Sequence, residues 1–215
     1  MNYFSLFFLN KSILRTLQIE EFKKERLIGK CIEFGANSKI DKNFLEVKHL
    51  SYKSTFSNLS SENNNIIKIN LEKKLLHKKK YDNVVIFNVL EHLSDLKKAL
   101  KNTNLLLKKN GKIIGSTPFL YRIHGAPKDY SRYTKDFIKI SLKQSNYKNI
   151  KVKELGTGPF LASFSLLRGI FKFIPLFYQL FLGLVILLDK ILLFFMKTDP
   201  KNIYPVGYIF SAKKK

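Results

Sequence analysis

The sequence predicts an α/β domain: a mostly parallel sheet with helices on both faces. Two observations carry that expectation. Short apolar, β-branched segments alternate with segments of helical periodicity from residue 30 onward. The strongest strand-like segment, Asp82–Asn88 (DNVVIFN), is apolar enough to be buried in the middle of such a sheet. The length of 215 residues suits one domain with an extension, and 45% hydrophobic against 26% charged residues is a globular composition.

Residues 1–27 are read as a leading unit. Tyr3–Leu9 is an apolar run too short for the core and cleavage site of a secretory signal. In Ser12–Glu25, Ile13, Leu14, Leu17 and Phe22 recur at near-helical spacing, so an amphipathic helix is expected to cover one edge of the domain. Residues 28–215 form the domain proper. Cys31–Gly35 (CIEFG) reads as a buried strand ending in a turn. Ser54–Leu59 and Ile66–Asn70 are the next two strands, and Asp82–Asn88 is the fourth. Ser94–Lys108 is a helix capped by Ser94, with Leu96, Leu100 and Leu107 inward and Asn110-Gly111 as its stop. Lys112–Thr117 is the following strand. Thr134 caps a helix running to about Ser145, and Asn149–Leu155 and Tyr204–Ser211 are the last strands.

Residues 159–197 break the alternation. Phe160–Met196 carries Arg168, Lys172, Asp189 and Lys190 as its charges, and Phe173–Leu188 is uncharged over 16 residues. A spanning helix needs about 20 apolar residues. A single crossing would also leave the final strand on the wrong side of the bilayer. The expected form is a monotopic or re-entrant hydrophobic insert with Lys and Arg at its edges. The alternative is a helix pair buried in a larger soluble core, for which a domain of this size has little room.

The net charge of +23, from 39 basic and 16 acidic residues, raises nucleic acid or an anionic membrane as a partner. Only five of the basic residues are arginine, however, and phosphate-reading surfaces favour its planar fork. The charge is read as AT-rich codon usage and solvated surface, and nucleic acid is not expected as a partner. A single cysteine, Cys31, excludes a disulfide framework and a cysteine-rich zinc module. No metal is expected.

Three constellations could carry chemistry, each at the carboxyl end of a strand, where open α/β sheets bind ligands. Glu33-Phe34-Gly35-Ala36-Asn37-Ser38 offers a glycine for close backbone approach and an acid to accept hydrogen bonds. Asn88-Val89-Leu90-Glu91-His92-Leu93 puts polar groups in an apolar context. Pro118–Thr134 gathers Tyr121, Arg122, His124, Asp129, Tyr130, Arg132 and Tyr133 in one loop, two of the five arginines among them. A histidine near an aspartate suits a general base, and arginines beside rings suit an anionic or ring-bearing substrate. A rigid loop in which Asp129 simply pairs with Arg132 is the bland alternative.

In this order the three resemble the class I S-adenosylmethionine-dependent methyltransferases, closest to the small type 11 group found beside surface-polysaccharide and lipid-linked glycan genes. The likeness covers about residues 28–157 and 203–213. Ile32–Asn37 (IEFGAN) sits where the family has an acid-x-Gly-x-Gly motif, Tyr81–Leu93 resembles its fourth-strand motif, and Leu105–Gly115 its helix-to-strand turn. The resemblance implies a Rossmann-like sheet of seven strands, the last antiparallel, with the hydrophobic helical insert before it. It implies S-adenosyl-L-methionine across the first strand tips: Glu33, Gly35 and Asn37 by the methionine part, Asn58 or Ser60 at the ribose, Asn70 beside Glu72 near the adenine, and Asn88, Glu91 and His92 on the same side. Asn37 stands for the second glycine, and no acid stands at the ribose position.

The function expected is methyl transfer, O-methylation of a membrane-proximal glycan, glycolipid or other small acceptor at the cytoplasmic face of the membrane. His124 would be the base, Asp129 its orienter, and Tyr121, Arg122, Tyr130, Arg132 and Tyr133 would hold the acceptor. Two alternatives come from other classes: a membrane scaffold that keeps the fold without the cofactor, and a basic surface module for lipid or nucleic acid.

Overall fold

The computed structural model describes residues 12–36, 43–46, 52–58, 64–125, 128–171 and 175–215. The strands are β1 (Gly29–Phe34), β2 (Tyr52–Ser57), β3 (Ile66–Ile67), β4 (Tyr81–Phe87), β5 (Leu107–Pro118), β6 (Tyr147–Leu155) and β7 (Gly207–Lys214). The helices are α1 (Ile13–Phe22), α2 (Leu96–Leu106), α3 (Lys135–Gln144), α4 (Pro159–Phe171), α5 (Pro175–Phe195) and the short α6 (Pro200–Ile203). All seven strands join one sheet in the order β3-β2-β1-β4-β5-β7-β6. The pairs from β3 to β5 are parallel, while β7 runs antiparallel to both β5 and β6. The expected α/β sheet with an antiparallel last strand is therefore present.

Period-two alternation sorts the strand side chains onto two faces. Cys31, Val85, Phe87, Ile114 and Ile209 pack with α1, α4 and α5. Ile32, Val84, Ile86, Ile113 and Phe210 pack with α2 and α3. Thr134 caps α3 as expected, its hydroxyl accepting from the Phe137 amide.

Several boundaries differ from expectation. The α2 cap is Asp95, whose carboxylate accepts from the Lys98 amide, and Ser94 lies outside the helix. Leu107 belongs to β5, opposite Tyr81, and the next pair is Asn83 with Lys112. The residues between are looped out around Asn110, which adopts φ 59°, so the Asn-Gly pair bends a strand instead of stopping a helix. The third strand keeps only two of its five expected residues. Pro200 starts a helical turn capped by Asp199, so β7 begins at Gly207 and not at Tyr204.

The leading helix lies on a face of the sheet and not at its edge. Ile13, Leu14, Leu17 and Phe22 enter the core, and so does Gln18, which is fully buried. Glu21 bonds Lys153 of β6 at 2.7 Å, and Glu25 pairs with Lys112 of β5. Tyr3–Leu9 lies outside the described residues.

The insert is a helical hairpin. α5 has 21 residues, about 31 Å at 1.5 Å per residue. It is longer than the uncharged stretch because Asp189 and Lys190 lie within it. Phe177–Phe195, with mean hydropathy 2.0, is long and apolar enough to cross a membrane by length and composition. Yet one stripe is committed to the domain: Tyr178, Leu182, Ile186 and Asp189 are buried. Asp189 accepts hydrogen bonds from the amides of Phe160 (2.9 Å) and Leu161 (3.0 Å) and from the Thr157 hydroxyl. A carboxylate at those amides caps α4 from a neighbouring helix. Gly158 leaves room for it, since a Cβ there would sit 2.6 Å from Asp189 Oδ1. The opposite stripe, including Leu180, Leu184, Leu187, Phe194 and Phe195, is exposed.

Candidate active site

A 3-10 turn, Leu90–His92, follows β4, and the loop after β5 is clamped onto it. The Glu91 carbonyl accepts from the amides of Tyr130 (2.8 Å) and Ser131 (3.4 Å), and Tyr133 donates its hydroxyl to the Leu90 carbonyl at 3.3 Å. The Glu91 side chain is fully buried. The Thr117 hydroxyl lies beside it and donates toward the carboxyl, favouring the ionised form. Burial pushes the Glu91 carboxyl up to about 8, because a carboxylate removed from solvent is disfavoured, and this outweighs the Thr117 hydroxyl and the nearby Arg132.

Both histidines point at this carboxyl. Nε2 of His92 and Nε2 of His124 each lie 3.9 Å from Glu91 Oε1. Asp129 holds His124 twice: its Oδ2 accepts the His124 backbone amide at 2.9 Å and lies 3.3 Å from Nδ1. Arg132 grips the same carboxylate through both terminal nitrogens, NH2 at 2.7 Å, and holds the Asp129 carboxyl well below the usual carboxylate range. Tyr121 meets the His124 ring edge-on.

The acceptor set expected from the loop is therefore divided. Arg132 is spent on Asp129 and on the carbonyls of Ser131 and Arg122, so the loop brace and the His-Asp pair coexist. Tyr133 is buried and stacked on Phe137, with its hydroxyl on Leu90, and is corrected from an acceptor contact to a core residue. Tyr121 and Arg122 line a cavity of ≈ 270 Å³ together with Ser12, Ile13 and Leu14 at the start of α1 and Ser165, Leu166 and Gly169 of α4. Tyr130 is exposed.

The other strand tips form a second group. Gly35 has φ 72°, and a Cβ there would fall 2.4 Å from Val89 Cγ2, so the turn after β1 requires glycine. Glu33 is buried beneath it and accepts from the amides of Phe44 (2.9 Å) and Leu45 (2.8 Å). It therefore anchors the 43–46 turn instead of presenting free oxygens. Burial raises its carboxyl to about 7 against those amides and the nearby Arg15, which lies over the Phe44 ring. Asn58 donates to the Ala36 carbonyl at 2.6 Å, and Asn70 Oδ1 accepts from the Glu72 amide. Glu72 is itself bound to Ser94 and Asp95 at the head of α2. Asn88, at φ 53°, forms a reciprocal amide pair with Gln18 of α1 (2.7 and 3.0 Å). Asn37 and Ser60 lie outside the described residues.

Gln18, Ser57 and Asp189 were not singled out for these roles by the sequence. Gln18 sits in an apolar helical stripe, and a polar residue there was a readable signal. Ser57 is the last residue of β2, 1% exposed, with a hydroxyl that has no partner among the described residues. Only tertiary contact marks it.

The methyltransferase domain family model matches residues 8–151. Comparison with curated proteins gives no match. Among solved structures, the chain is similar to an S-adenosylmethionine-dependent methyltransferase from Thermotoga maritima, a possible histamine N-methyltransferase. That similarity has a TM-score of 0.61 at 11% identity, covering 94% of this chain and 90% of the other. An S-adenosylmethionine-dependent methyltransferase from Archaeoglobus fulgidus gives 0.55 at 15%, covering 94% and 92%. Phosphoethanolamine N-methyltransferase 2 from Haemonchus contortus, solved with S-adenosyl-L-methionine, gives 0.59 at 15%, covering 98% of this chain and 56% of that one.

Proposed function

Since the chain belongs to the methyltransferase domain family, we propose that it methylates an oxygen of a small or lipid-linked acceptor, of the glycan or glycolipid kind, at the cytoplasmic face of a membrane. S-adenosyl-L-methionine is the cofactor. The strand tips fit it. Gly35 opens the turn after β1, the buried Ser57 hydroxyl, without a partner among the described residues, and Asn58 offer polar groups at the tip of β2, and Asn70 follows β3. Ser57 and Asn58 would stand in for the missing ribose acid. When bound, the cofactor supplies an electrophilic methyl group.

The observation that carries the acceptor side is the shared wall of the cavity. Its loop residues, Tyr121 and the exposed Arg122, face Ser165, Leu166 and Gly169 of the apolar hairpin. An acceptor held there would be an arm's length from whatever the hairpin touches. The outward stripe of α5 supports contact with lipid in the interface plane, with exposed Lys190 and Lys197 beside anionic headgroups. Asp189 supports a docked helix over a spanning one, because a spanning α5 would have to give up the α4 cap. His124 acts as the base: Asp129 fixes its Nδ1 side, which leaves Nε2 to take the acceptor proton. Arg122 orients an anionic acceptor.

Vesicle flotation and label transfer test this reading. The protein should float with anionic vesicles, and a Leu187→Glu/Phe194→Glu/Phe195→Glu variant should not. Labelled methyl should enter the organic phase of a membrane extract. Label confined to water-soluble acceptors, from a protein that stays in the pellet fraction, would overturn the membrane part. Full turnover by His124→Ala would remove that histidine from the mechanism.

A further inference from the structure

Glu91, His92 and His124 converge on one spot. One ligand atom from each lies within 4.8 Å of the other two. Glu91 is fully buried, with the Thr117 hydroxyl beside its carboxyl group. The imidazoles are oriented by their far nitrogens. His92 Nδ1 is 2.6 Å from the Lys128 carbonyl, and His124 Nδ1 is 3.3 Å from both the Arg122 carbonyl and Asp129 Oδ2. Those partners are acceptors only, so each Nδ1 carries its proton and each Nε2 turns a bare lone pair toward Glu91. Two imidazole nitrogens and a carboxyl oxygen turned toward one another form a donor set that a cation can occupy. The nearby Arg132 is neutralised by Asp129 and sends no hydrogen bond into the gap.

We propose that Glu91, His92 and His124 bind a divalent transition-metal ion of the zinc, iron(II) or cobalt(II) class. Two imidazoles and one carboxylate suit these ions and leave positions open, whereas calcium and magnesium call for oxygen ligands. Tetrahedral bonds of about 2.0–2.1 Å set ligand atoms roughly 3.4 Å apart. The observed 3.9 Å separations close to that by small side-chain rotations. Hydrogen bonds from the far imidazole nitrogens to a carbonyl and a carboxylate are the support that metal-bound histidines use. The site stands on this geometry and not on turnover. Where the methyl-transfer reading also holds, a bound ion would occupy His124 Nε2 in place of the proton it otherwise takes, and an oxygen acceptor on the ion would lose its proton to solvent.

The test uses tag-free, full-length protein stripped with chelator. Cobalt(II) should bind with one-to-one stoichiometry and give visible d–d absorption, which zinc bleaches by displacement. Glu91→Gln, His92→Ala and His124→Ala should each weaken zinc binding at least tenfold by calorimetry, and Asp129→Asn should weaken it about 10- to 100-fold through the His124 support. Circular dichroism and thermal unfolding of each variant report an intact fold, and S-adenosylhomocysteine titration of the wild type separates this question from the methyltransferase reading. Wild-type protein that binds S-adenosylhomocysteine but neither metal overturns the proposal, as does a cobalt spectrum unchanged in His124→Ala.

Discussion

Asp189 ties α5 to α4, and replacing it with alanine tests whether the hairpin is docked on the domain. The side chain is 1% exposed and accepts three hydrogen bonds, two of them from the first amides of α4. Hydrogen bonds to a charged group contribute about 1.5–3 kcal/mol each, but freed amides regain water when the helix end opens. Loss of an N-cap costs roughly 0.5–2 kcal/mol and the helix-dipole contribution reaches ~2. Asp189→Ala should therefore destabilise the protein by about 3 kcal/mol, a fall in Tm of roughly 6–12 °C for a chain of this size. Asp189→Asn keeps one acceptor oxygen and should cost about half as much. Thermal unfolding in mild detergent reads the first effect. Amide exchange at Phe160 and Leu161 reads the second, since those two amides should lose protection before the sheet does. An alanine variant with unchanged Tm and unchanged protection at those amides would refute the cap, and with it the argument for a docked over a spanning α5.

Three further outcomes are expected. Glu33 carries a folded-state value near 7, raised by burial above the ordinary glutamate value. The fold thus prefers the protonated form, and this group's stabilisation, full below about pH 4.5, is lost as pH rises to about 7, by roughly 3 kcal/mol. Urea denaturation across that range should show the slope in wild type and its loss in Glu33→Gln; parallel curves would contradict it. Gln18→Leu leaves the Asn88 amide without its partner and should cost about 1–3 kcal/mol in the same assay. Gly35→Ala forces a Cβ against Val89 at a left-handed backbone, a penalty of roughly 1–2 kcal/mol that should weaken S-adenosylhomocysteine binding about tenfold. Val89→Ala in the same chain relieves the contact but not the φ, so rescue should be partial.

The candidate site was legible where chemistry is concentrated in sequence. Glu91-His92 follows the most apolar strand, and His124, Asp129 and Arg132 share one loop, so their proximity needed only the rule that parallel strands end on one side of a sheet. The division of labour within the loop was not legible. Arg122 and Arg132 look equivalent along the chain, yet one is exposed on a cavity and the other is bound to Asp129. Tyr130 and Tyr133 differ in the same way, one exposed and one in the core.

Periodicity and composition by themselves determined the α/β alternation, the central strand, the cap of α3 and the hydrophobic insert, because each rests on neighbours in sequence: alternating burial, a hydroxyl three residues from an amide, an uncharged run. The tertiary structure alone decided that α1 lies across a face of the sheet through Gln18, that the Ser57 hydroxyl has no partner among the described residues, and that Asp189 inside an apolar helix is a cap for another helix. Each of those depends on where a buried polar group finds its partner. The partner of Asp189 lies about 30 residues away and that of Gln18 lies 70. A buried polar group must be matched in space, and no local pattern records the match.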